Sequence, residues 1–280
     1  MRNLDETTIT QAVLAQHSGA TDVRLREIMT SLVQHLHAFA RDVKLSEAEW
    51  QRGVEFLGEA GTVGGTDRQE LRLLSQVLGL STLVLAQNQG KKTGCTEAVE
   101  FYQAPAHQPV VHDLGADISA NALGPRGYIS GTVRNPQGQP VPYATLEVGI
   151  AGTDSIAADR YALLQSDERG HYHFSMRLPV SRRLPSDSPV GHMLAALDRQ
   201  GQCPAHLRFS ISAVGYQRLT TQIFREGDPD IDADPLFGVR RSLITEWQRH
   251  PAGTTPAGTH SSEHFHTLAF DFVLAKALGV

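Results

Sequence analysis

The sequence is short of several things, and each shortage closes a door. It holds two cysteines, Cys95 and Cys203, too few for a disulfide framework. Its longest apolar run, near Leu78–Ala86, falls well below the ~20 residues of a bilayer-spanning helix. Basic residues are not in surplus: 25 Lys and Arg face 30 Asp and Glu, for a net charge of -5. That balance excludes a cationic nucleic-acid surface. The first residues are polar and acidic with no apolar stretch of signal-peptide type, so a soluble cytoplasmic protein is expected. Gly124-Pro-Arg-Gly127 reads as a turn and has no phosphate-loop signature.

What is present divides near residue 100. In the first part the apolar residues keep helical spacing. Ile28, Leu32, Leu36 and Phe39 recur every three or four residues between Asp22 and Val43, forming one stripe. Ser46 with Glu49 fits a capping box opening a second helix, whose face carries Trp50, Val54 and Leu57. After the Gly-rich break at 61–66, a third helix is expected over Asp67–Gln89, with Leu71, Leu74, Val77, Leu78 and Leu85. No catalytic cluster appears here, and these stripes suit a core or a dimer interface.

The second part reads as short strands between turns. Tyr128–Val133 precedes the turn Asn135-Pro-Gln-Gly138, and Ala144–Val148 alternates. Asp167-Glu-Arg-Gly170 leads into His171–Met176, and His206–Ile211 and Leu268–Val273 alternate again. Strands at this spacing argue for an antiparallel sandwich or barrel. The expected class is α+β: a helical domain and linker over 1–100, then a β-sandwich over 101–280.

The motifs carry a resemblance. Arg24–Val33 with His35-Leu-His-Ala-Phe39 is similar to the N-terminal helices of hydroxyquinol 1,2-dioxygenases. Gly131-Thr-Val, Gly138-Gln-Pro-Val, Pro204-Ala-His-Leu, Gly215-Tyr, Leu219–Phe224, Gly227-Asp228, Phe237-Gly-Val239 and Phe270–Leu274 follow that family in order. The chain thus resembles the intradiol ring-cleavage dioxygenases of catechol or hydroxyquinol type over nearly its whole length. The resemblance implies one non-haem ferric ion held by two tyrosines and two histidines, which binds a catecholate whose ring dioxygen splits between the hydroxyl-bearing carbons. It also implies a homodimer through the N-terminal helices, along a channel that can hold a phospholipid.

The ligand positions depart from the pattern. Where the family has Arg-Pro-Ala-His-x-His, the text is Cys203-Pro-Ala-His206-Leu-Arg208. In Pro179-Val-Ser-Arg-Arg-Leu-Pro185, Arg182 stands in the second tyrosine's place. The first tyrosine falls on Ala157 by direct counting, or on Tyr161 if the loop after Val148 is shorter; the tryptophan of the family's Val-Trp-x-Ala is absent from Val148-Gly-Ile-Ala151. The entrance motif is replaced by Ala98-Val-Glu-Phe-Tyr102.

Guanidinium has no lone pair to give a metal. The expectation is therefore no metal and no cofactor, with Fe(III) only if the family site is rebuilt. Arg182 and Arg208 would hold a small anionic cyclic or aromatic-derived compound, with His206 as general acid or base and Cys203 as a nucleophile if those arginines lower its pKa. Tyr161, Asp187, Gln222 and Arg183 would line the ligand. The structural alternatives are solvent-facing arginines, a structural histidine and an inert buried thiol. Two other functions stay open: a non-catalytic partner forming a heteromer with an active dioxygenase, and a catechol or hydroxyquinol 1,2-dioxygenase still at work in aromatic catabolism.

Two further clusters stand out. Glu263-His-Phe-His266, with His250 and His260, has metal-like spacing, although the family's last strand carries no metal. Asp228, Asp230, Asp232 and Asp234 form an acidic loop that suits calcium or, as in the family, a structural role.

Overall fold

A computed structural model describes residues 4–63, 69–89, 92–99, 109–119, 124–150 and 160–277. The chain packs as two compact units, Met1–Gly58 and Glu59–Val280.

The first unit is helical. Its elements are α1 (Ile9–Gln16), α2 (Val23–Asp42) and most of α3 (Glu47–Val63). Asp22 starts α2 by accepting the Leu25 N–H, the N-cap bond that satisfies an otherwise orphaned donor. The expected capping box forms: the Glu49 carboxylate accepts from the Ser46 backbone N–H at 2.9 Å and its hydroxyl at 2.7 Å. The α2 stripe is left half exposed: Ile28, Leu32, Leu36 and Phe39 range from 46% to 54%.

The second unit begins with α4 (Glu70–Val77) and α5 (Leu80–Gln89). The sequence suggested one helix here. Gly79 breaks it, with φ at +72°, a conformation that glycine adopts without steric cost. The strands are β1 (Val110–Val111), β2 (Arg126–Arg134), β3 (Thr145–Ile150), β4 (Arg160–Gln165), β5 (His171–Arg177), β6 (Arg182–Arg183), β7 (Gln202–Cys203), β8 (His206–Ser212), β9 (Leu219–Arg225), β10 (Ile244–Thr245), β11 (Gln248–His250), β12 (Gly253–Thr254), β13 (His260–Ser261), β14 (Phe265–Ala269) and β15 (Phe272–Val273). One helix, α6 (Pro189–Ala196), lies between β6 and β7.

A six-stranded sheet runs β1-β4-β3-β8-β9-β10, and a second runs β11-β14-β2-β15 with β5 also on β2. The ladders among β3, β4, β8 and β9, and that of β2 with β5, are antiparallel. The edges β1 and β10 are parallel to their neighbours, as are β14 and β15 to β2, so the sheets are mixed. The core between them holds Val148, Leu164, Phe174, Leu207, Phe209, Ile211, Ile223 and Phe272. Because alternate residues point to opposite faces, β8 gives Leu207, Phe209 and Ile211 to this core. Its other face carries His206, Arg208 and Ser210. No described helix is long and apolar enough to cross a membrane.

Candidate functional site

That other face of the six-stranded sheet holds an unusual row. Register pairs Tyr161 of β4 with Gly149 of β3, Gly149 with Arg208 of β8, and Arg208 with Gln222 of β9. Directly opposed residues share a face, so the row reads Tyr161, Gly149, Arg208, Gln222. Its side chains are buried: Tyr161 is 9% exposed, Arg208 3% and Gln222 5%. The glycine is what lets the row close. A Cβ at Gly149 would stand 3.1 Å from both Arg208 Cβ and Tyr161 Cε1.

His206 lies one alternation from Arg208, as the strand pattern requires. Its Nδ1 lies 2.8 Å from the Pro204 carbonyl, and its Nε2 accepts the Arg208 Nε–H at 3.2 Å. These contacts put the ring proton on Nδ1. Burial pushes its pKa down to about 3, helped by the Arg208 and Arg182 charges and opposed by the Pro204 carbonyl. The imidazole is therefore neutral at ordinary pH, and it is a weaker base than a free histidine.

Arg182 pairs in register with Cys203. It is half buried, whereas Arg183 and Asp187 are exposed and do not join the row. Cys203 itself is 2% exposed. Burial, with the Asp234 charge, pushes its thiol up to about 12 against the smaller lowering by Arg182 and Arg208. The expected lowering by the arginines is outweighed, and a nucleophilic thiolate is not favoured there. Ala157 lies outside the described residues.

The acidic loop works as scaffold. Asp228 Oδ2 accepts the Ser181 hydroxyl and the Ala205 N–H, both at 3.0 Å. One carboxylate thereby ties the residue before Arg182 to the residue before His206. Asp234 accepts the N–H groups of Leu236, Gly238 and Val239, and a Cβ at Gly238 would stand 3.1 Å from Gln222 Oε1. Sequence reading missed these two clasps. The Asp228 clasp joins segments far apart in the chain, which no local pattern announces, whereas the Asp234 clasp closes a turn within five residues. Among the described residues, no group of three or more His, Cys, Asp or Glu is placed to hold a metal. Among the described residues, the histidines at 250, 260, 264 and 266 do not form the metal-like cluster that their spacing alone would suggest.

Comparison with known proteins places these residues in context. The family described as catechol dioxygenase N terminus matches residues 22–96, and the dioxygenase family matches residues 100–276. The 6-chlorohydroxyquinol 1,2-dioxygenase of Cupriavidus pinatubonensis is 39% identical over 99% of this chain and 100% of its own. The hydroxyquinol 1,2-dioxygenase of Nocardioides simplex is 39% identical over 97% of this chain and 96% of its own. Among solved structures, hydroxyquinol 1,2-dioxygenase from Pseudomonas putida DLL-E4 superposes with a TM-score of 0.87 at 32% identity, covering 97% of this chain and 99% of that one.

These matches overturn two expectations. The first was a pocket turned to metal-independent chemistry on, or binding of, a small anionic compound. The second was the absence of any cofactor. Both reasoned from single positions, and whole-length likeness to relatives named as hydroxyquinol dioxygenases favours the family's activity and its ferric ion. The described residues offer that ion one imidazole, on His206, and one phenol, on Tyr161. Arg208 and Arg182 have no lone pair to give, and Arg208 occupies the Nε2 that a metal would use. As arranged, these side chains do not fit a four-ligand ferric sphere.

Proposed function

Because the chain belongs to the intradiol ring-cleavage dioxygenases, we propose that it acts on a hydroxyquinol-type aromatic diol, in the ring cleavage for which its relatives are named. The observation that carries this reading is the 39% identity that extends over essentially all of both chains. In this reading Tyr161 and Gln222 orient the diol, as side chains that flank Arg208 in a row kept free of bulk by Gly149. His206 presents a neutral ring whose proton is fixed on Nδ1 by Pro204. Arg182, held by the Asp228 clasp through its neighbour Ser181, adds fixed positive charge beside the row and favours the deprotonated diol. Mass analysis of the product tests the reading. Incorporation of both atoms of labelled dioxygen into a ring-opened dicarboxylic acid supports it, and unchanged hydroxyquinol contradicts it.

A second reading is favoured by the Arg208–His206 bond: a non-catalytic subunit paired with an active dioxygenase. A paired state of either kind suits the half-exposed stripe of Ile28, Leu32, Leu36 and Phe39 on α2, joined by Trp50, Val54 and Leu57 on α3. Apolar faces of this length are usually covered in an assembly. A homodimer through these helices is the simplest cover. Light scattering on the purified chain should give twice the 30.5 kDa monomer mass, and Leu32→Glu should reduce it to one. Co-expression with an active relative separates the two arrangements, since strict homodimers rule out the heteromer.

A further inference from the structure

We propose that the end of the sandwich around His266 binds a small oxyanion, a carboxylate or a phosphate, at a place separate from the row around His206.

Two buried polar atoms mark the place. His266 is 6% exposed, and its Nδ1 has no hydrogen-bond partner among the described residues. Trp247 is 7% exposed, and its Nε1–H is likewise without one. Native proteins rarely leave such groups unmatched. An indole nitrogen only donates, so what completes this site must supply an acceptor.

Both residues adjoin Gly127. His266 of β14 lies between Arg249 of β11 and Gly127 of β2. Gly127 has no side chain, and Leu178 and the indole fill the space: a Cβ there would stand 2.8 Å from Leu178 Cδ2 and 3.1 Å from Trp247 Cζ3. Arg249, opposed to His266 in an antiparallel pair, leaves from the same face. His264, two residues back, shares that face, and its ring meets His266 edge-on at 5.8 Å between centroids. His250 is anchored through Nε2 to the Thr267 hydroxyl and stacks on Phe265 at 5.0 Å. The end of β9 brings Arg225 from the other sheet.

The charges around this place are of one sign. His266 is held below its usual pKa by burial first, then by Arg225, His264, Arg249 and His250. Every group acting on it is basic. A metal cation would be repelled by the two guanidinium groups. An acceptor-only ligand with negative charge meets two unmatched buried nitrogens and two arginines, and guanidinium binds carboxylate and phosphate oxygens in pairs.

The chain has two tryptophans, Trp50 and Trp247, so the indole N–H spectrum of the full-length protein holds two signals, which Trp50→Phe assigns. We would titrate with inorganic phosphate, with maleate as a small dicarboxylate, and with chloride at matched ionic strength. The Trp247 signal should move and saturate with phosphate or maleate and stay still with chloride. Whichever saturates at the lower concentration identifies the oxyanion. Arg249→Gln and Arg225→Gln replace exposed side chains and should keep the fold, yet shift the midpoint upward by roughly tenfold. A Trp247 signal that does not move, that moves equally with chloride, or that keeps its midpoint in both arginine variants overturns the proposal.

Discussion

Arg208 donates its Nε–H to Nε2 of His206 across 3.2 Å, and both side chains are buried. The other ring nitrogen faces the Pro204 carbonyl. Both nitrogens of the His206 ring are therefore engaged. Its availability to a metal or a substrate depends on where the guanidinium goes.

Replacing Arg208 should therefore change metal retention. Arg208→His frees Nε2 and adds a second imidazole at the two-residue spacing of the family pattern. We expect its iron content after dialysis against a chelator to exceed that of the parent by roughly tenfold or more, since imidazole is a good ligand and guanidinium is none. Arg208→Lys keeps the charge and should stay at the parent level. Equal iron in the two variants would contradict this view of the bond.

Gly149 should not tolerate a side chain. Alanine would bring its methyl within 3.1 Å of Arg208 Cβ and Tyr161 Cε1, close to the backbone of two strands that cannot easily part. Overpacking of this kind costs about 1–3 kcal/mol. Urea unfolding of Gly149→Ala should show that loss in the midpoint with an unchanged slope, whereas a midpoint equal to the parent's would mean the row has room.

The Asp228 clasp should be energetically visible. Asp228→Ala strands the Ala205 N–H and releases the Ser181 hydroxyl. A buried donor left unmatched costs roughly 1–3 kcal/mol. Asp228→Asn keeps one acceptor oxygen and should lie between alanine and the parent in thermal unfolding. An alanine variant as stable as the parent would show that water replaces the carboxylate.

The contrast between Gly149 and Asp228 shows how much the sequence revealed. The helical part, the Ser46–Glu49 box and the alternation of β8 follow from local periodicity and capping chemistry, and all three could be read without a structure. The Gly79 break in the third helix is also local, yet the apolar pattern runs through it and hides it. The row through Gly149, and the Asp228 bridge between Ser181 and Ala205, depend on register between strands far apart in the chain. Single positions also misled: arginines at ligand sites suggested a pocket remade without metal, while the likeness of the whole chain favours the family's own chemistry.

Acid should reveal the Asp117–Arg126 pair. Burial would raise the Asp117 carboxyl, but hydrogen bonds from Ser119 and the Arg126 guanidinium at 2.6 Å outweigh it and hold its pKa below the usual value. A carboxyl lowered in the folded state adds stability that is fully present above its unfolded value, about 4, and is lost as pH falls through the folded value. Asp117→Asn should thus be less stable than the parent at neutral pH, and the gap should close in strongly acidic solution. A gap that is constant with pH would assign the effect to packing.

The central claim is ring cleavage of a hydroxyquinol-type diol, and oxygen uptake tests it most directly. Purified protein, supplied with iron and hydroxyquinol in an oxygen electrode, should consume one dioxygen per diol. No uptake above the iron-only control, from this chain alone or assembled with an active relative inactivated at its own iron site, would contradict the account.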